Sequence, residues 1–396
     1  MRLGLFSKVV LYFSFTFQML FVTANNVFLA TIASTLLLVP FFLYIIQLKP
    51  KLIIDKNIGY YCIFIIYLVI SSAWSPIAIS YSEVQSSFII VVFLIVALNI
   101  LNWSNGENII IWSFITVTFV NFIIYIGLFN IGFWGDIYGG SRFQGSFENP
   151  NGTAVNSIFT MLFLMFFISE RPSRFLRFGI IIGIVCCTLI VLSTGSKKSI
   201  ILLPLIWFLF FLFKNNDSTI LFVIKKVSIF IAIITLAWVG WGYLEQKFFI
   251  IAIRFEELFN NIGGGGDVSG SSTAQRIYFV NKGFEIFLDK PLLGHGKGAF
   301  QYYFGMVSHN NYIETLINFG FIGFFLYYIR YYIIIKSLFS LGDKKIMPVI
   351  LMVLVMLYLE IGLISFDSKM FIYAFLFLML HVKKLKYSIN DSKIDI

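Results

Sequence analysis

Lys197 and Lys198 stand side by side in Ser193-Thr194-Gly195-Ser196-Lys197-Lys198-Ser199, a short polar interval between two apolar runs. Arg142, Arg276 and His309 fall in other polar intervals of the same kind. These side chains suit a phosphate-bearing substrate. Arginine grips phosphate oxygens as a fork, lysine acts as a point charge, and a neutral imidazole takes a proton near pH 7. Three of the intervals lead directly into helices. Ser141–Asn151 precedes the run at 152–169, with Asn149 placed as a cap and Pro150 in the first turn. Ser193–Ser199 precedes 200–213, and Ser308-His309-Asn310-Asn311-Tyr312 opens 309–335. Helix starts carry unpaired N–H groups and the positive end of the macrodipole, both of which favour anions. With Arg276 added, the pattern predicts one anion-binding cavity, and a diphosphate is the simplest ligand that uses every cation.

The elements that must carry these residues follow from composition. The chain has 396 residues, 59% hydrophobic and only 12% charged, with a mean hydropathy of +0.91. That leaves too little polar surface to cover a soluble globule. About twelve apolar runs approach the roughly 20 residues needed to cross a bilayer as a helix, at 9–24, 27–47, 58–74, 84–101, 109–128, 152–169, 175–193, 200–213, 220–242, 309–335, 346–364 and 368–382. Runs this long exclude a transmembrane barrel, so the predicted fold class is all-α, a polytopic membrane protein forming a single integral-membrane domain over 1–396. The net charge of +10 is spread over the loops and forms no stripe with interleaved aromatics, which excludes a nucleic-acid partner. Most lysines and arginines fall in alternate loops, and the positive-inside rule puts both termini in the cytoplasm. The intervals holding Arg142, Lys197, Lys198, Arg276 and His309 then lie on the outer face, where short-loop cations are unexpected.

The longest polar segment, about 243–308, opens with Glu245, Lys247, Arg254, Glu256 and Glu257 and passes through Gly263-Gly264-Gly265-Gly266. No strand precedes the tetraglycine and no Gly-Lys-Ser/Thr follows, so it reads as a spacer and not a phosphate cradle. Near 273–289 the pattern becomes periodic. Ile277, Val280, Phe284 and Phe287 fall on one predicted face, and Pro291 ends the pattern. This reads as an amphipathic helix lying on the outer membrane surface or over the bundle, with Arg276 in its first turn. The three cysteines, Cys62, Cys186 and Cys187, fall inside apolar runs and offer neither a disulfide framework nor a metal motif. No metal or cofactor is expected.

Four elements in chain order resemble the O-antigen ligase and polymerase superfamily of bacterial surface-polysaccharide assembly. The family's arginine with Asn-Pro-Asn resembles Arg142 through Asn151. Its Ser-Arg or Ser-Lys loop resembles Ser196-Lys197-Lys198, with lysine in place of the commoner arginine. Its arginine-led segment ending in Pro-Leu-Leu-Gly-x-Gly resembles Arg276 through Gly296, and its His-Asn before Gly-x-x-Gly resembles His309-Asn310 with Gly320 and Gly323. The resemblance spans about 140–325. It implies a metal-independent glycosyltransferase in the bacterial inner membrane, moving a glycan on the outer face from an undecaprenyl-diphosphate-linked glycan donor to the hydroxyl of a glycan acceptor. Arg142, Lys197, Lys198 and Arg276 would bind the diphosphate, Arg276 and His309 would be catalytic, and Asn149, Asn151 and Asn310 would support them. Membrane lipids and a chain-length regulator are the further candidate partners.

Within that reading a repeat-unit polymerase is preferred, with ligation to lipid A core as the alternative. A lipid-linked oligosaccharide flippase is the rival from another class. It would call for charges near the bilayer midplane and paired broken helices in two repeats, and the sequence displays neither. His295 reads as a loop residue, His381 and Arg330 as interfacial, and Glu360 as a residue near the outer end of its span. The topology has a direct check. A cysteine replacing Gly270 should react with an impermeant maleimide in intact spheroplasts and one replacing Asp217 should not, whereas the reverse labelling would invert the protein.

Overall fold

The computed structural model describes residues 3–21, 32, 35–53, 55–79, 81–104, 106–127, 138–139, 142–169, 173–213, 272–340, 346–362, 366 and 368–394. In chain order the elements are α1 (Leu3–Leu20), α2 (Leu38–Leu48), α3 (Lys56–Ile70) continued by a 3-10 turn (Ser71–Trp74), α4 (Tyr81–Ser104), α5 (Glu107–Tyr125), β1 (Tyr138–Gly139), β2 (Arg142–Phe143), α6 (Pro150–Ser169), α7 (Arg174–Thr194), α8 (Lys197–Phe213), α9 (Ser272–Asp289), α10 (Ala299–Phe304), α11 (Asn311–Phe339), α12 (Met347–Leu359) and α13 (Lys369–Ile394). The two-residue strands pair antiparallel, Tyr138 opposite Phe143. The architecture is that of an all-α membrane protein. Among the described residues six helices are long and apolar enough to cross a bilayer: Leu3–Leu20, Lys56–Trp74, Ser87–Ser104, Asn108–Tyr125, Leu176–Thr194 and Asn311–Phe339. Leu38–Leu48 and Pro348–Leu359 are apolar but shorter. The expected run at 220–242, the charged patch at 245–257 and the tetraglycine lie outside the described residues.

Local chemistry sets the helix ends. Asp55 accepts the Asn57 N–H to cap α3, and Ser173 accepts the Leu176 N–H to cap α7. Pro150 and Pro348 sit at helix starts, where a missing N–H costs nothing.

The helices sort into two compact units. One contains α1 to α4, the start of α5, and α9 to α13. Its centre is aromatic: Phe64 packs against Phe319 and Tyr327, with ring centroids 5.6 and 5.1 Å apart, and Phe15 against Tyr373 at 4.7 Å. The other contains α5 from Phe114 onward, the strand pair and α6 to α8. There Phe114 packs on Phe159 and Phe163, Thr118 shares a 2.7 Å hydrogen bond with Thr160, and Asn156 donates to Thr118.

Within the first unit, α11 is broken at Gly320, whose φ of 62° and ψ of −166° are non-helical. The break strands four backbone groups, and the segment Pro291–Gly296 takes them up. His295 and Gly296 N–H donate to Ile317 and Asn318 carbonyls, both at 2.8 Å, while Phe321 and Ile322 N–H donate to Pro291 and Leu292 carbonyls at 2.8 and 3.2 Å. Both facing residues must be glycine. A Cβ on Gly320 would lie 2.3 Å from the Leu292 oxygen, and one on Gly294 2.5 Å from the Gly320 nitrogen.

The segment thereby fixes α9 against α11, but not on the face expected from periodicity. Phe279, Gly283 and Phe287 are buried, and a Cβ on Gly283 would lie within 3 Å of Ile313 and Ile317 side-chain carbons. Of the expected face only Phe287 is buried; Ile277, Val280 and Phe284 are exposed. The glycine draws the two helices together at a position that a hydrophobicity pattern scores as neutral. Arg330 is a second correction. It is 1% exposed inside the bundle and does not snorkel to an interface. Gly320→Ala should cost roughly 2–5 kcal/mol, from left-handed strain and overpacking together. A thermal unfolding midpoint in detergent close to that of the unaltered protein would contradict the interlock.

Candidate functional site

In the second unit, Arg142 and the lysine pair come together. Arg142 lies on β2 and its Nε donates to the Thr194 carbonyl at 2.8 Å. Thr194 ends α7, and Gly195 turns the chain through a left-handed cap at φ 58° into Ser196 and α8. Lys197 and Lys198 are the first two residues of α8, both half-buried, with the Lys198 Nζ enclosed. Ser196 and Ser199 are buried beneath them and hydrogen-bonded to each other. Two of the expected cations thus open α8, and the third is bonded to the turn that leads into it.

The turn after β2 is held from below by Asn121 on α5. The Asn121 Oδ1 accepts the Ser146 N–H at 2.7 Å, and its Nδ2 donates to the Ser146 hydroxyl and the Val117 carbonyl. Gly145, at φ 60°, lies directly over it, and a Cβ there would sit 2.1 Å from the Asn121 Oδ1. Thr153 donates to the Gln144 carbonyl, and Phe143 is fully buried against Tyr125. Asn149 accepts the Asn151 N–H at 2.9 Å, so its side chain starts α6 in the manner of an N-cap. Asn149 is exposed and Asn151 half-buried. Of the two carboxylates nearest Arg142 in sequence, Asp136 lies outside the described residues, and the Glu148 backbone is left-handed at φ 47°.

In the first unit, Arg276 is half-buried in the second turn of α9, and His309 precedes α11. Gly283 of α9 touches Ile313, one helical turn beyond His309. His309 is exposed, and its backbone is left-handed at φ 53°, a conformation that costs a non-glycine residue on the order of 1–3 kcal/mol. It is not the helix cap. Asn310 fills that role, its Oδ1 accepting the Tyr312 and Ile313 N–H groups. The side chain of His309 is therefore not committed to capping.

The structure also gathers polar residues that the motifs did not mark. Glu314, in the first turn of α11, is 6% exposed, and its Oε2 accepts from Ser308 N–H at 3.0 Å and Ser308 Oγ at 2.7 Å. Glu360, at the end of α12, is fully buried. Its backbone carbonyl accepts the Asn311 N–H at 2.9 Å, and its carboxylate accepts from Tyr331 at 2.7 Å and Tyr327 at 3.2 Å. The Arg330 guanidinium lies over the rings of Tyr327, Tyr61, Tyr331 and Phe375 at 4.0 to 5.0 Å. For Glu314 the available signal was an acid in the first turn after Ser308 and a capping asparagine. For Arg330 it was tyrosines at i−3 and i+1.

His295 is a structural tie. Its ring is buried between the Ile286 carbonyl at 2.8 Å and the Tyr303 hydroxyl at 3.2 Å. Partial burial pushes the Tyr303 phenol up from its ordinary value, which keeps it protonated and able to donate to His295. On the exposed side of α9, Lys282 and Glu285 form a 2.5 Å ion pair. Among the described residues no group of three or more His, Cys, Asp or Glu is placed to hold a metal ion.

Helices long and apolar enough to cross a bilayer, with cation-bearing turns at helix starts, define a multi-pass membrane protein. The family model for O-antigen ligase matches residues 182–328, from the middle of α7 into α11. That match supports the O-antigen ligase and polymerase superfamily, and with it a ligase or polymerase type of glycan transfer. The matched stretch contains Lys197, Lys198, Arg276 and His309 but not Arg142. No curated protein matches the chain. Because Asn121 carries the Arg142 turn, Asn121→Ala should leave the buried Ser146 N–H without its acceptor, at a cost of about 1–3 kcal/mol. The turn around 144–149 should then become open to protease in the folded protein, and unchanged cleavage would show the turn to be held by other contacts.

Proposed function

We propose that the protein is a repeat-unit polymerase of a surface polysaccharide, working on the outer face of the bacterial inner membrane. A hydroxyl of the acceptor glycan attacks the anomeric carbon of the donor glycan. The bond from that carbon to the undecaprenyl diphosphate breaks, and the diphosphate leaves with the electron pair. Arg142, Lys197, Lys198 and Arg276 stabilise the charge that grows on the departing group. His309 takes the proton of the attacking hydroxyl. Asn310 starts the helix behind His309, and Asn149 and Asn151 order the turn after Arg142. Ligation to lipid A core would use the same donor chemistry with another acceptor.

The observation that carries this reading is His309 itself. It is held outside the helix in a strained left-handed conformation, exposed, while its neighbour does the capping. A residue needed only to start the helix would have no reason to be placed so. His309→Asn is the decisive variant, because asparagine tolerates the left-handed region and donates a hydrogen bond but accepts no proton near neutral pH. In a purified assay with lipid-linked donor it should insert and bind normally, and extend glycan about 100- to 10,000-fold more slowly. Arg276→Ala should abolish product, with partial rescue by Arg276→Lys, since a fork has become a point charge. Wild-type rates for His309→Asn would remove the base from the mechanism.

A further inference from the structure

We infer that Glu314 is a positioning residue for His309. The inference rests on the reading of His309 as the base. The turn Ser308-His309-Asn310 is fixed on both sides. On the near side a single carboxylate oxygen of Glu314 takes both donors of Ser308, the backbone N–H at 3.0 Å and the hydroxyl at 2.7 Å. The same hydroxyl accepts the Asn310 N–H at 2.9 Å, so the serine spans the histidine from one neighbour to the other. On the far side Asn310 caps α11. Asn311 is tied to the end of α12 through its N–H to the Glu360 carbonyl and through its side chain, 3.4 Å from the Glu360 carboxylate. Tyr312 is tied there as well, its hydroxyl donating to the Leu357 carbonyl at 2.7 Å.

Ser308, Asn311 and Glu314 are buried, and His309 between them is exposed. A histidine would leave φ 53° for an ordinary conformation if its neighbours were free to follow. The Ser308 to Glu314 bonds prevent that. An acid also suits the place electrically, because the positive end of the α11 dipole favours a carboxylate in the first turn. Glutamine can still set one amide oxygen against Ser308, but it carries no charge, so both hydrogen bonds lose the strength that a carboxylate acceptor gives them and the turn is held less firmly.

The test compares Glu314→Gln, His309→Ala and the double variant in purified protein supplied with lipid-linked donor. A second readout is the rate at which diethyl pyrocarbonate modifies His309, followed by mass spectrometry with His381 as the internal reference. Glu314→Gln should lower kcat about 10- to 100-fold with KM for the donor unchanged, as expected when a reacting group is misplaced and not removed. It should change the modification rate at His309 and not at His381. In the His309→Ala background it should cause no further loss, because two residues acting through one interaction are not additive. Wild-type kcat and modification rate in Glu314→Gln would overturn the assignment, as would an equal loss in both backgrounds. Full activity of His309→Ala together with a changed modification rate in Glu314→Gln would instead retire the base while leaving Glu314 as the residue that holds the turn.

Discussion

The exchange of backbone hydrogen bonds between the break in α11 and the Pro291–Gly296 segment is the constraint on which the first unit depends. A helix interrupted at membrane depth leaves N–H and C=O groups that no solvent can satisfy, and such a break survives only where protein supplies the partners. Four reciprocal bonds supply them here, closed over two glycines whose backbones nearly touch. The consequence reaches both candidate residues in this unit. The segment continues backward into α9, which carries Arg276, and the broken helix begins at the turn that carries His309. Two glycine-containing motifs separated in sequence are thus two halves of one joint, and their chemistry is mechanical: they fix one helix against the other.

The second unit solves a similar problem by a different device. There the polar turn is held by one side chain, Asn121, whose amide reproduces the pairing of a backbone group with Ser146. The neighbouring Arg142 spends one of its five N–H donors on the end of α7. That bond ties the arginine to the turn leading to Lys197.

Much of this was legible in the sequence because hydropathy and charge act over whole segments. The apolar runs mark helices, and Asn149-Pro150 marks a helix start through the local physics of capping. What escaped depended on contacts between segments. Periodicity on α9 pointed to Ile277, Val280 and Phe284, whereas close approach at Gly283 buries the face of Phe279 and Phe287. A glycine contributes no hydrophobicity, so no pattern of apolar residues reveals that a partner backbone will lie against it. Glu314 escaped for the converse reason. An acid in a first turn is already explained by the helix dipole, and only the fold shows it reaching back to Ser308.

Arg330 makes the same argument at the cost of a charge. An arginine in an apolar run is expected to reach for water, because burying an isolated cation is expensive. Here it is enclosed by four rings that present their negative faces, two from its own helix and two from α3 and α13. Each such contact contributes about 0.5–2 kcal/mol, and the hydroxyls of Tyr327 and Tyr331 connect the cage to the Glu360 carboxylate. The charges are linked through tyrosines and not by a direct bridge, so both remain buried only while α3, α11, α12 and α13 keep their places. The same Glu360 receives the first N–H of α11, two residues from His309. A polar network inside the bundle therefore serves the N-terminal end of the helix: it makes the position of the turn a property of four helices, with the histidine exposed between buried neighbours.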